Sequence, residues 1–204
     1  MQEERNRNIL LMVLRVKGAA EVKDLCTASR LGQTECENMM ASLVSDELVR
    51  KNDRLKKYVL TDTGSKTVAA DVETLRKEIG QSELEELYNR FMILDAEFKH
   101  LATGWQVRAP GPPPLFNDHS DPRYDQRIIN TLVRLHHRLR VLLETIGKKS
   151  SRYNSYLARF ADALNRLSDG SLDYFTNPRV DSYHNIWFEL HEDLLCLLGR
   201  QRSE

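Results

Sequence analysis

Histidines and carboxylates are concentrated in the C-terminal half of the chain, where they could support acid–base or metal chemistry. All six histidines lie at or after His100, and His184 and His191 share the segment DSYHNIWFELHED. Possible partners at a shared site are His100, Asp118, His119, Glu189 and Glu192. The sequence has no HExxH motif, P-loop, GxGxxG fingerprint or nucleophile elbow. It predicts no metal ion, no cofactor and no enzymatic activity, with a histidine–carboxylate enzyme as an alternative.

The same half of the chain contains aromatic and cationic residues that could together form a pocket for an organic ligand. Such pockets combine an apolar wall with a few polar groups. The residues predicted for this pocket are Trp105, Arg108, Phe116, His119, Arg123, Tyr124, Arg127, Tyr183, His184, Trp187, Phe188 and His191. The arginines favour an anionic ligand. The alternative is an aromatic-rich core with arginines on its surface.

A short basic segment in the first third of the chain could bind the phosphates of a nucleic acid. Residues 50–57 contain five basic side chains and one acid. Polar residues precede this segment, and the amide of Asn38 can form two hydrogen bonds with adenine. The residues predicted to contact DNA are Gln33, Thr34, Glu35, Asn38, Ser42, Arg50, Lys51, Arg54, Lys56 and Lys57. Glu35 and Glu37 oppose this interpretation, because carboxylates repel phosphate.

The hydrophobic pattern predicts three helices and a β-hairpin in this part of the chain. Apolar residues recur at helical spacing in residues 5–17, 20–29 and 34–46. Thr34 and Glu37 have the spacing of a capping box, which predicts the start of the third helix. The period then changes to that of two short strands, residues 48–51 and 55–60, with a turn at Asn52-Asp53.

This order of elements, with a tight turn at Leu31-Gly32, is that of a winged helix-turn-helix. The run QTECENMMASLVSDELVRK, then a hairpin and YVLTDTGSKTV, resembles the MarR-type winged-helix domain. The positions that carry the resemblance are Cys36, Met39, Met40, Leu43, Leu48, Val49, Leu60, Thr61 and Gly64. The resemblance covers residues 1–66. It implies that the third helix enters the major groove of DNA, with the hairpin beside it.

Residues 67–104 are predicted to connect the two halves and to form a dimer. A helix over residues 65–79 ends before Gly80, and Gly104 is predicted to end the next helix. The second helix has an apolar stripe of Leu84, Leu87, Phe91, Leu94, Phe98 and Leu101. We expect this stripe to pair with a second subunit, because two-fold symmetry suits palindromic DNA sites. The alternative is packing against the C-terminal helices of the same chain.

The rest of the chain is predicted to be an all-α bundle. Residues 105–122 form a proline-rich loop, and Asp121 and Pro122 mark the start of a helix. Apolar stripes predict helices from there to Ile146, at 151–168 and at 181–198. Residues 123–204 thus form a bundle that could bind the ligand. The predicted fold class is mainly α, a winged helix-turn-helix followed by a helical bundle.

Charge and composition narrow the predicted function. Basic and acidic residues number 30 each, so any contact with DNA must be local. We expect no membrane span and no secretory signal, and the three cysteines form no CxxC pair. The sequence therefore predicts a cytoplasmic, homodimeric transcription regulator that binds double-stranded DNA and responds to a small, anionic effector. The alternative is an adaptor whose winged helix binds protein, which would explain the glutamates of the third helix.

Overall fold

Three helices and an antiparallel hairpin form the start of the chain in the computed structural model, which describes residues 2–200. These elements, called the N-terminal unit, are α1 (Gln2–Lys17), α2 (Val22–Ser29), α3 (Gln33–Ser45), β1 (Val49–Asn52) and β2 (Lys57–Leu60). Ala20, just before α2, pairs with Tyr58 through two backbone hydrogen bonds of 2.8 and 3.1 Å. This pairing ties the hairpin to the connection between α1 and α2. It also explains why α2 begins after the predicted residue 20.

The N-terminal unit has its own apolar core, which the periodic positions of its helices supply. Leu10 and Leu14 of α1, Leu25 of α2, and Met40 and Leu43 of α3 are almost completely buried. These positions repeat every three or four residues within a helix, so each helix turns one apolar side inward. The polar side of α3 is thereby left at the surface.

The predicted capping box at the start of α3 was wrong. Gly32 occupies the N-cap position, and the helix begins at Gln33. Thr34 therefore lies inside the first turn and cannot act as the cap. Glu37 instead accepts a hydrogen bond of 3.0 Å from Gln33.

The hairpin leads directly into α4 (Asp62–Ile79), and Gly64 makes this connection possible. Thr61 caps the helix, because its hydroxyl oxygen accepts a hydrogen bond of 3.0 Å from the Gly64 N–H. A Cβ atom at residue 64 would lie 2.0 Å from the carbonyl oxygen of Leu48. Only glycine permits so close an approach of the two backbones.

The remaining elements form the second part of the molecule. They are α5 (Gln81–Gln106), β3 (Val107–Ala109), β4 (Leu115–Phe116), α6 (Pro122–Gly147), α7 (Tyr153–Ser168), α8 (Asp173–Thr176) and α9 (Tyr183–Leu198). α5 packs along α6, and α6 packs on α7. α9 is central, because it contacts α1, α4, α5, α7 and α8. We call α5 to α9 the bundle.

The apolar stripe of α5 is covered within the chain. Leu84, Leu87, Phe91, Leu94 and Phe98 are at most 6% exposed. The cover comes from α6 and α9, both of which pack on α5. The prediction that this stripe pairs with a second subunit was therefore wrong, and the alternative of packing within the chain is correct.

The predicted loop 105–122 contains more regular structure than expected. α5 continues through Gly104 to Gln106, so the prediction that Gly104 ends the helix was wrong. β3 and β4 then form a short antiparallel hairpin, with Val107 opposite Phe116. The predicted start of α6 is confirmed, because Asp121 accepts hydrogen bonds from the backbone N–H groups of Arg123 and Tyr124.

A membrane-spanning helix needs about 20 predominantly apolar residues. None of the helices between residues 2 and 200 combines that length with that apolar character.

Candidate nucleic-acid interface

The first two turns of α3 present polar side chains to solvent. Gln33, Thr34 and Asn38 are exposed, whereas Cys36 and Met40 face the core. Amide and hydroxyl groups in this arrangement can form hydrogen bonds with base edges in a major groove. The N–H groups of the first turn follow Gly32, which has no side chain to cap them, so they can also donate hydrogen bonds to a phosphate oxygen.

Two other predicted contact residues of α3 are bound to α1. Asn6 donates a hydrogen bond of 2.9 Å from Nδ2 to Glu35 Oε1. Arg7 donates from Nη1 to Ser42 Oγ at 2.6 Å and from Nη2 to Asp46 at 2.5 Å. Glu35 and Ser42 therefore help to fix α3 against α1. These contacts give the unfavourable carboxylate of Glu35 a structural role.

The hairpin is the densest group of positive charges in the N-terminal unit, with five basic residues between positions 50 and 57. Arg50, Lys51, Arg54 and Lys56 are exposed, and Lys57 is half-buried. The turn occupies residues 53–56 and not the predicted Asn52-Asp53. The side-chain oxygen of Asn52 accepts a hydrogen bond of 3.1 Å from the Leu55 N–H, which stabilises this longer turn. We call residues 50–57 the wing.

Sequence analysis missed the role that Leu55 can play at the tip of the wing. It was predicted to lie in a strand, but it lies in the turn and is 55% exposed. Its neighbours Arg54 and Lys56 are cations. An exposed apolar residue between two cations suits insertion into a minor groove, whose phosphates the cations would meet. Its position between Arg54 and Lys56 was the available signal.

The aromatic residues predicted for a ligand pocket form a core instead. Trp105, Tyr183 and Trp187 are almost completely buried. Trp105 stacks on Phe175 with ring centroids 4.5 Å apart, and Trp187 stacks on Phe98 at 4.3 Å. The pocket prediction was wrong for these three residues, because their rings fill the space between the helices. The alternative of an aromatic-rich core is correct here.

A second group of predicted pocket residues closes the base of the β3–β4 hairpin. His119 Nδ1 lies 3.0 Å from Asp125, and its ring packs on Trp105. Arg108 forms an ion pair of 3.0 Å with Asp121, and the Tyr124 hydroxyl donates to the Gly104 carbonyl at 2.8 Å. These contacts hold the hairpin on α6. The remaining residues of this group, Phe116, Arg123 and Arg127, are exposed.

His184, Phe188 and His191 line a shallow cleft of about 50 Å³ between α5 and α9. This volume suits about one or two water molecules and is too small for an organic ligand. Within residues 2–200, no group of three or more histidine, cysteine, aspartate or glutamate side chains is arranged to hold a metal ion. The predicted ligand residues thus do not come together at one site.

Sequence analysis also missed a buried charge network between the N-terminal unit and the bundle. Arg159 of α7 is 2% exposed and forms ion pairs with Asp181 at 2.6 Å and Glu189 at 2.8 Å. Lys17 of α1 also pairs with Glu189. Burial lowers the pKa of Arg159, but the hydrogen bond to Asp181 and the charge of Glu189 outweigh this effect and raise it. The signal was the position of Arg159 between Tyr156 and Phe160 on an apolar stripe.

Family models, curated proteins and solved structures were all compared with this chain, and none of them matches it.

Proposed function

We propose that the chain is a transcription regulator whose N-terminal unit is a winged helix-turn-helix that binds double-stranded DNA. The observation that carries this proposal is that the start of α3 and the cationic wing are both exposed in the intact chain. The pairing of Ala20 with Tyr58 supports the proposal, because the backbone of Ala20 extends the two-stranded hairpin by a bridge on a third segment. The bundle contacts the unit through α1 and α2 and leaves α3 accessible.

In the proposed complex, α3 and the wing have different tasks. α3 contains no lysine or arginine, so it contributes hydrogen bonds to bases through Gln33, Thr34 and Asn38. The wing supplies the attraction to phosphates, and each phosphate contact makes the affinity more sensitive to salt. This division explains how a chain of zero net charge can bind a polyanion.

The bundle is proposed to set the orientation of the N-terminal unit. Lys17 of α1 reaches Glu189 of α9, and Arg30 at the end of α2 pairs with Asp162 of α7. These two contacts join the unit to the bundle from different helices. A homodimer remains part of the proposal, because palindromic sites need two-fold symmetry. Its interface must lie outside the buried stripe of α5.

Fluorescence anisotropy with labelled duplex DNA from around the chain's own gene tests the proposal. The double variant R54A/K56A removes two exposed cations from the wing, and we expect its affinity to fall about tenfold. The control K77A/R140A removes two exposed cations outside the wing, on α4 and α6, and should leave the affinity unchanged within about twofold. Equal losses in both variants would argue against a contact at the wing.

A protein-binding adaptor is the second candidate, and the charge of α3 favours it. Glu37 is exposed on the same side as Asn38, and Val44 near the end of the helix is exposed as well. An acidic surface with an apolar residue suits a basic protein partner better than a phosphate backbone. Absence of DNA binding at low salt would favour this candidate.

A further inference from the structure

A cleft of about 450 Å³ lies where the N-terminal unit meets the bundle. Its walls come from α1, from α4 and from the turn between α6 and α7, residues 147–152. Pockets for small molecules have volumes of about 300–1,000 Å³ and occur preferentially where structural units meet. The size and position of this cleft therefore suit a small organic ligand.

The turn between α6 and α7 gives the cleft a cationic wall with hydroxyl groups. It contributes Lys148, Lys149, Ser150, Ser151 and Arg152, and Lys149 also forms an exposed ion pair of 3.4 Å with Glu83. Arg5 of α1 adds a further cation. The turn leads into α7, whose N-terminal end carries the positive end of the helix dipole. Cations and hydroxyl groups at the start of a helix are typical ligands of a phosphate group.

Arg152, at the end of this turn, is held in place by contacts with the bundle. Its Nη2 donates to Asp193 Oδ1 at 2.6 Å and to the Tyr153 hydroxyl at 3.0 Å. Among the residues that the structure describes, its buried Nε has no hydrogen-bond partner. The hydrogen bonds of Nη2 fix the guanidinium of Arg152 next to the cleft, of which Arg152 is a lining residue.

The floor of the cleft is apolar, and the wall formed by α4 is acidic. The floor consists of Ile9, Met12, Val68, Val72 and Leu75. Asp71 and Glu78 of α4 also line the cleft. Burial and the charge of Glu4 raise the pKa of Asp71 overall, although the nearby charge of Arg152 opposes this effect. The acids disfavour a ligand with negative charge at both ends. They suit one that carries a hydroxyl or amino group opposite its anionic group.

We propose that this cleft binds a phosphate monoester of a small organic molecule. The phosphate group lies against the turn between α6 and α7, and the organic part covers the apolar floor. A hydrogen-bond donor of the ligand faces Asp71 and Glu78. The proposal concerns binding to the free protein, so it stands or fails independently of DNA binding.

Titration calorimetry of the full chain with phenyl phosphate tests this site. We expect saturable binding of one molecule per chain. Inorganic phosphate lacks the apolar part and benzyl alcohol lacks the phosphate, so both should bind more weakly than phenyl phosphate. No binding of phenyl phosphate, or equal binding of all three compounds, would overturn the proposal.

Variants of opposite expected effect locate the site. K148A/K149A removes two cations of the turn and should weaken binding of phenyl phosphate about tenfold. Asp71→Asn removes a negative charge from the lining of the cleft and should strengthen binding about threefold. The control K77A/R140A loses the same charge outside the cleft and should change the affinity by less than about twofold. Thermal unfolding of each variant checks that the fold is retained.

The pattern across these variants decides the outcome. Weaker binding of phenyl phosphate by K148A/K149A together with tighter binding by Asp71→Asn supports binding in the cleft. An equal loss in the control K77A/R140A would show a general charge effect and overturn the proposal. Unchanged affinity in both cleft variants would overturn it too.

Discussion

Helices α3 and α9 both carry residues that the sequence predicts to be functional, and these residues lie in different environments. In α3, Gln33, Thr34 and Asn38 stand opposite the buried stripe and are exposed. In α9, Tyr183 and Trp187 belong to the buried stripe itself. Residue type therefore does not separate an exposed polar surface from a core. Position relative to the apolar stripe does.

The charged residues of the wing and of the bundle also differ in exposure. The cations of the wing are exposed and available to a partner, whereas Arg159 and Asp193 of the bundle are buried and paired within the chain. Removing a wing cation should therefore change binding and leave stability intact. Removing a buried charge of the bundle should change stability.

Replacing Trp187 gives the largest expected effect. Its ring packs on Phe91, Phe98 and Tyr183, so Trp187→Ala should lower the free energy of unfolding by about 3–5 kcal/mol. The neighbouring Phe188 is 46% exposed, and Phe188→Ala should lower the free energy of unfolding by about 1 kcal/mol or less. Urea unfolding measures both values. Similar losses for the two variants would contradict the assignment of α9 to the core.

Replacing Arg159 tests whether the buried charges of the bundle stabilise the fold. Arg159→Met leaves Asp181 and Glu189 without their shared cation and should cost about 3 kcal/mol of stability. Asp162→Asn breaks the exposed pair with Arg30 and should cost about 1 kcal/mol at most. The midpoints of urea unfolding compare the two variants. A loss for Asp162→Asn as large as that for Arg159→Met would reverse the comparison.

Two glycines should respond to alanine with opposite signs and smaller effects. Gly64→Ala forces a Cβ against the Leu48 carbonyl and should destabilise the chain by about 2 kcal/mol. Gly104 lies within α5, and a Cβ there would make ordinary contacts with Tyr124 and Ile128. Gly104→Ala should therefore stabilise the chain by about 0.5–1 kcal/mol. The melting temperature shows both signs, and a stable Gly64→Ala variant would refute the close approach of α4 to Leu48.

Helices with regular apolar stripes could be predicted from sequence, whereas their ends and partners could not. The stripes of α6 and α7 predicted those helices within a few residues. Gly104 was predicted to end α5, but α6 packs beside it and the helix continues. The cover of the α5 stripe was also missed, because a stripe has the same pattern whether α9 or a second subunit covers it.

The candidate sites could likewise be predicted only where they depend on local sequence. The exposed residues of α3 and the wing followed from local pattern and charge. The contact between Asn6 and Glu35 joins residues far apart in sequence, and it needed the fold to be seen. The cleft between α1, α4 and the turn before α7 is likewise made from three distant segments. No local spacing indicates such a site.

The salt dependence of DNA binding by the unaltered chain tests the central claim most directly. If α3 and the wing bind DNA, the affinity for the preferred duplex should exceed that for random DNA. The logarithm of the association constant should also fall with the logarithm of salt concentration, with a slope of about −0.9 for each phosphate contacted. The wing has five cations, so we expect a slope between about −2 and −5. No binding at low salt, or binding that salt leaves unchanged, would contradict the proposed function.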